Sequence, residues 1–182
     1  MDNFSIDIET LGTEPNSVIL SIGVVAFDPH TNTLDEEGLE VNLDVEEQIS
    51  LGMTIDYNTV VWWMDKRDEA RKVFRSENRV GLNDCYNLIK RYLEKHQPNT
   101  GKVKPWGNGS SFDVVLLESL FRLMGKEPLW KYHNIRDVRT IVDLAGLDPK
   151  PYRLKGVHHN ALDDAINQAN MVYDCYTKLG LT

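Results

Sequence analysis

The run FSIDIETLG, residues 4 to 12, sets Asp7 and Glu9 among residues that otherwise suit a buried strand. Phe4, Ile6 and Ile8 alternate with Ser5, Asp7 and Glu9, so both acids point to the face opposite the isoleucines. Two further acids stand at or beside apolar stripes. Asp113 shares a helical face with Leu116, Leu117, Leu120 and Met124, and Asp164 borders the stripe of the last helix, shortly after His159. Four carboxylates in one pocket can hold two Mg²⁺ or Mn²⁺ ions about 3.5–4 Å apart, the arrangement for in-line displacement at phosphorus. A histidine beside them, with an ordinary pKa of about 6.5, can take a proton from the attacking water.

Each residue also has a plainer reading. Two acids on a strand can be a solvated face. The neighbouring run VILSIGVVAF is apolar at nearly every position, however, so a strand beside it should be partly covered and bare carboxylates there costly. SSFD fits a capping box with Ser110 as N-cap and Asp113 three residues on. Asp164 fits a first-turn acid favoured by the helix dipole, and His159 a loop residue without a task. Asp163, with Asn167, Asn170 and Asp174, falls on the far side of the last helix, a face expected to be wet.

The elements that must position these groups follow from periodicity. The first strand pairs with residues 18–27, HTNTLDEEG makes the hairpin connection, and LEVNL at 39–43 returns, giving an antiparallel meander. Asp56 caps a helix carrying VVWWM, continued or restarted by RDEARKVFRS. LNDCYNLIKRYLEKH is an amphipathic helix, VKPWGNG a short strand entering a turn, and SSFDVVLLESLFRLMG and RDVRTIVDLAG two helices ending at glycine. The last helix spans roughly Ala161 to Leu179. Strands first, then helices alternating with a strand or two, predict an α/β fold with a mixed central sheet flanked by helices.

The chain has 182 residues, 41% apolar and 26% charged, which suits one domain, 1–182. Its net charge of −8 excludes broad electrostatic grip on duplex nucleic acid, so a nucleic-acid partner would need metal ions and a local basic rim. Cys85 and Cys175 sit in no metal or redox spacing, and no run approaches the ~20 apolar residues of a membrane span. A cytoplasmic protein without membrane association is expected.

DIET at 7–10, FD at 112–113 and HNALDDA at 159–165 resemble the three motifs of the DEDDh exonucleases, on the ribonuclease H-like fold. WWMDKRDEAR, WGNGSSFD and YHNIRDVRTIVDL are similar to its phage and prophage exonuclease VIII-like branch, which includes a mycobacterial exoribonuclease-like group. The likeness runs from Phe4 to near Leu179. It implies Asp7, Glu9, Asp113 and Asp164 as ligands of two divalent ions, His159 as the base, and frequent dimers. There is one departure. Many members carry Asn four residues before the middle Asp, where this chain has Gly109, with Asn108 one residue earlier.

Substrate contacts are expected from Thr10, Leu11, Asn108, Trp63, Arg136, Arg153 and Lys155. Trp62 and Trp63 could stack an unpaired base, although core packing suits at least one of them. Arg136, Asp137 and Arg139 could position a phosphate or could cap and pair on their own helix. The expected activity is metal-dependent 3′-to-5′ hydrolysis of single-stranded or overhanging DNA or RNA ends, releasing nucleoside 5′-monophosphates. Two rivals are a catalytically silent nucleic-acid-binding module and an endonuclease on the same fold.

Overall fold

A computed structural model of the protein describes residues 1–35, 37–152, 156 and 159–182. Among these, β1 (Asn3–Thr10), β2 (Ile19–Asp28), β3 (Thr33–Leu34) and β4 (Leu39–Leu43) precede three short helices, α1 (Val45–Ser50), α2 (Tyr57–Met64) and α3 (Asp68–Arg71). There follow β5 (Arg79–Val80), α4 (Leu82–His96), β6 (Lys104–Gly107), α5 (Asp113–Leu123), β7 (Arg136–Asp137), α6 (Val138–Ala145) and α7 (Ala161–Lys178). The sheet runs β5-β4-β2-β1-β6-β7, with β3 also on β2. β1, β2 and β4 form the expected antiparallel meander, and β5, β6 and β7 join in parallel. This is the mixed sheet that the order of elements predicts.

β1 divides the molecule by side-chain parity. Phe4, Ile6 and Ile8 point into the larger core with Ile22, Val24, Ile89, Leu117 and Leu120. Full burial of each such side chain contributes about 1.5–3 kcal/mol. The other face carries Asn3, Ser5, Asp7 and Glu9, whose partners across β2 are Phe27, Val25, Gly23 and Ser21. Over this face lies a smaller core in which α7 contributes Ala165, Ala169 and Val172 and α6 contributes Val138. Apolar partners near the start of β1 thus give way to glycine and serine near its end.

Gly23 fixes how closely α7 descends. A Cβ there would lie 2.2 Å from the Ala161 carbonyl oxygen and 2.5 Å from the Leu162 nitrogen. The first turn of α7 therefore rests on β2 directly beside Asp7, a contact that only glycine permits. Asn160 starts the helix by accepting from the Asp163 N–H at 2.9 Å.

Candidate active site

Near the C-terminal end of β1 a cleft of about 660 Å³ is walled by Asp7, Glu9, Asp113, His159, Asp164 and Arg139, among others. Asp7 and Glu9 reach it from the strand, with a register irregularity directly after Glu9. The α/β fold and the meander agree with the sequence reading, and all five motif residues line this one cavity.

Asp113 corrects one local expectation. The helix opens at Asp113 itself, with Phe112 as an N-cap that makes no side-chain bond, so SSFD is not a capping box. Ser110 instead donates its N–H to Asp137 Oδ2. The Asp113 carboxylate, only 4% exposed, turns back to the sheet. It accepts from the Ile8 N–H at 3.3 Å and the Asn108 N–H at 3.1 Å. Its placement is set by β1 and the loop after β6.

On the other side, His159 and Asp164 are locked together. The His159 N–H donates to Asp164 Oδ2 at 3.0 Å. His159 adopts φ 67°, a left-handed conformation that costs a non-glycine residue about 1–3 kcal/mol and tends to occur at functional sites. Glu9, His159 and Asp164 offer ligand atoms that all lie within 4.8 Å of one another. Trp62 meets the His159 ring edge-on at 4.8 Å between centroids, and Lys66 Nζ lies 3.8 Å over the Trp62 ring.

The electrostatics are lopsided. Burial, then repulsion from Asp113, Glu9 and Asp164, holds the Asp7 carboxyl well above its ordinary range against one bond from Gln168. Burial, then Asp164 and Asp113, pushes Glu9 up to about 8. Burial raises Asp113 to about 7 despite the backbone N–H groups of Ile8, Asn108 and Asp113 itself and the nearby Arg139. Carboxyls that resist ionising at neutral pH describe a pocket with too much negative charge for its burial. An all-oxygen donor set of this kind fits Mg²⁺ or Mn²⁺.

Several expected substrate contacts are placed otherwise. Trp63 is 2% exposed and gives its indole N–H to the Thr10 carbonyl at 2.9 Å, so it packs in the core and the open ring is Trp62. Thr10 is buried with its hydroxyl donating to the Gly12 carbonyl, and Leu11 is in the core. Arg136 gives its guanidinium to the carbonyls of His133 and Ile135, whereas Arg139 lines the cleft. Asn108 lines it too, accepting from Arg139 Nε at 3.4 Å. Arg153 and Lys155 lie outside the described residues. The face of α7 expected to be wet is only partly so: Asn167 is 6% exposed, and Asp163, Asn170 and Asp174 are half-buried.

Gln168 is the residue that motif spacing passed over. It is 3% exposed, donates from Nε2 to Asp7 Oδ1 at 2.7 Å and accepts from Ser5 Oγ at 3.4 Å. Its signal was available: it follows Asp164 by one helical turn, so both side chains share the face toward β1.

The fold is that of the DEDDh nucleases. The nuclease domain of 3′hExo, described as a DEDDh family member and solved bound to rAMP, superposes with a TM-score of 0.60 at 15% identity, covering 96% of this chain and 91% of that one. Cell-death related nuclease 4 does so at 0.57 and 14%, covering 98% of this chain and 64% of its own. Among curated proteins, the exodeoxyribonuclease of Enterobacteria phage T4 is 29% identical over 164 residues, 79% of this chain and 71% of that protein. Residues 2–176 match the Rv2179c-like 3′-5′ exoribonuclease domain, and the chain belongs to that family.

Proposed function

We propose that the protein is a divalent-metal-dependent 3′-to-5′ exonuclease acting on single-stranded or overhanging 3′ ends of RNA or DNA. The observation that carries this reading is the meeting of Asp7, Glu9, Asp113, Asp164 and His159 on one cleft, brought from one strand, two helices and the turn before α7. Asp7, Glu9, Asp113 and Asp164 would hold two ions, Mg²⁺ or Mn²⁺. When bound, these supply positive charge for the transition state and acidify water. His159, beside Glu9 and Asp164, takes the proton from the attacking water. The P–O3′ bond of the terminal phosphodiester breaks, giving a nucleoside 5′-monophosphate and a strand one residue shorter with a free 3′ hydroxyl.

The whole chain works as one exonuclease domain, of the phage exonuclease VIII-like and mycobacterial branch; the family match over residues 2–176 supports the single domain and the exonuclease family. Two free, buried cysteines suit a reducing compartment, here the cytoplasm. No helix among the described residues is long and apolar enough to cross a membrane.

A time course on matched 5′-labelled RNA and DNA, single-stranded and with 3′ overhangs, tests the reading. The expected result is stepwise shortening from the 3′ end, dependent on Mg²⁺ or Mn²⁺ and abolished by EDTA. Cleavage of a circular strand at a comparable rate, or a ladder beginning at the 5′ end, would contradict it.

A further inference from the structure

Resting on the exonuclease reading above, we propose that Arg139 binds the phosphate one nucleotide upstream of the scissile bond, on the strand leaving the cleft. In-line displacement puts the attacking water and the departing O3′ on opposite sides of phosphorus. The water side is marked by His159, whose ring groups with Glu9 and Asp164. Asp113 falls outside that group and is tied to the Asn108 backbone, and Asn108 Oδ1 in turn accepts from Arg139. The departing strand therefore emerges past Arg139, and the first anion it presents there is its next phosphate.

The local build suits that task. Arg139 is exposed, lines the cleft and stands in the first turn of α6, where the helix dipole adds to its positive potential. The adjacent acid, Asp137, directs its carboxylate to the N–H groups of Ser110 and Thr140 and to the Thr140 hydroxyl. A planar guanidinium can hold a phosphate through two parallel bonds. In a chain of net charge −8, such a cation matters most where the strand must stay bound after each cut.

Gly109 leaves the loop beside Arg139 without a side chain. Its φ is 108°, a backbone that favours glycine, and a Cβ there would already rest 3.5 Å from the Arg139 guanidinium carbon. Asparagine at 109 would reach into the space that the guanidinium fills.

The test compares two substrates: a 5′-labelled oligonucleotide, and the p-nitrophenyl ester of thymidine 5′-monophosphate, which has no upstream phosphate. Arg139→Ala should raise KM on the oligonucleotide about tenfold or more beyond any change on the ester, as loss of a charged hydrogen bond predicts. Its oligonucleotide KM should also lose salt dependence, by about 0.7 in the log–log slope for one single-strand phosphate contact. Arg139→Lys, with charge but no fork, should fall between. A neutral methylphosphonate at the upstream linkage should raise KM for the wild type and add nothing to Arg139→Ala. Equal losses on both substrates, or an unchanged oligonucleotide KM, would overturn the assignment. A wild-type protein inactive on both substrates would instead overturn the exonuclease reading, and this assignment with it.

Discussion

Phe4, near the start of β1, packs edge-on against Tyr92 and His96, and there Asp35 accepts from the Tyr92 hydroxyl at 2.8 Å and meets His96 Nε2 at 3.0 Å, with Lys95 Nζ at 3.9 Å. At the other end of the strand Glu9 and Asp164 crowd His159, with Asp7 and Asp113 alongside. Residue types are shared, but the charge balance is opposite. At the first end burial raises the Asp35 carboxyl, and the Tyr92 bond, Lys95 and His96 outweigh it and hold the group low. At the second end burial and neighbouring carboxylates act in the same direction, upward. At the first end hydrogen bonds from Tyr92 and His96 and the nearby Lys95 satisfy the buried acid. At the other end the carboxylates add to one another, and on the exonuclease reading proposed above bound cations would offset them.

The largest expected effect lies at the unbalanced end. Asp7→Asn and Glu9→Gln should each reduce nuclease activity to background while leaving the metal-free fold as stable or more so, measured by thermal melting in EDTA. Activity near wild type in either variant would remove these acids from the site.

His159→Ala should lower turnover by about 10²–10⁴-fold, the range for loss of a general base, and abolish the pH limb belonging to that base. The Mn²⁺-induced rise in melting temperature should persist. A rise that vanishes with the imidazole would make His159 a metal ligand alongside Glu9 and Asp164.

Gly23→Ala tests position without touching a polar group. Its Cβ must push the start of α7 off β2, an overpacking that costs about 1–3 kcal/mol and carries Asp164 away from Asp7. Activity should fall more than stability. Unchanged kcat would show that α7 tolerates the shift.

The two ends should also respond to pH in opposite senses. Without metal, folded Glu9 keeps its proton from its ordinary 4.5 up to about 8 while the unfolded chain has lost it, so stability falls as pH rises through that window. Asp35, held low, contributes stability above its ordinary pKa that is lost as pH falls toward its folded value. Burial, opposed by Asp35, keeps His96 low, so protonating it on acidification destabilises further. Melting temperature in EDTA should therefore peak at mildly acidic pH. Glu9→Gln should flatten the alkaline limb. Asp35→Asn should flatten the acid limb and cost about 1–3 kcal/mol near neutrality, as loss of a buried partner does.

Sequence reading reached the unbalanced end more fully than the balanced one. Period-2 alternation placed Asp7 and Glu9 on one face of β1, and motif order joined them to Asp113, His159 and Asp164, because these signals are local and chemically specific. It reached the longer elements for the same reason: Asp56 does cap α2, accepting from the Thr59 N–H at 2.7 Å, and LEVNL is β4. The two-residue strands β5 and β7 escaped, since neither has a period of its own and each exists by pairing with β4 or β6. Trp62 and Trp63 could not be told apart because adjacent helical positions differ only in direction, and direction was set by the Thr10 carbonyl that Trp63 meets. Arg136 and Arg139, three residues apart across the boundary of β7 and α6, were left undistinguished likewise.

A titration of Mn²⁺ into the metal-free protein, followed by melting temperature at pH 8 and pH 6, measures the imbalance at the end of β1 directly. Saturation at a hundred times Kd stabilises by about 2.7 kcal/mol, or roughly 5–10 °C for a domain of this size. The account predicts a rise of that order at pH 8, smaller at pH 6 where protons already neutralise Glu9, and much reduced at both in Asp7→Asn. An equal melting temperature with and without Mn²⁺ at pH 8 would contradict it, because the buried carboxylates would then have no cation to bind.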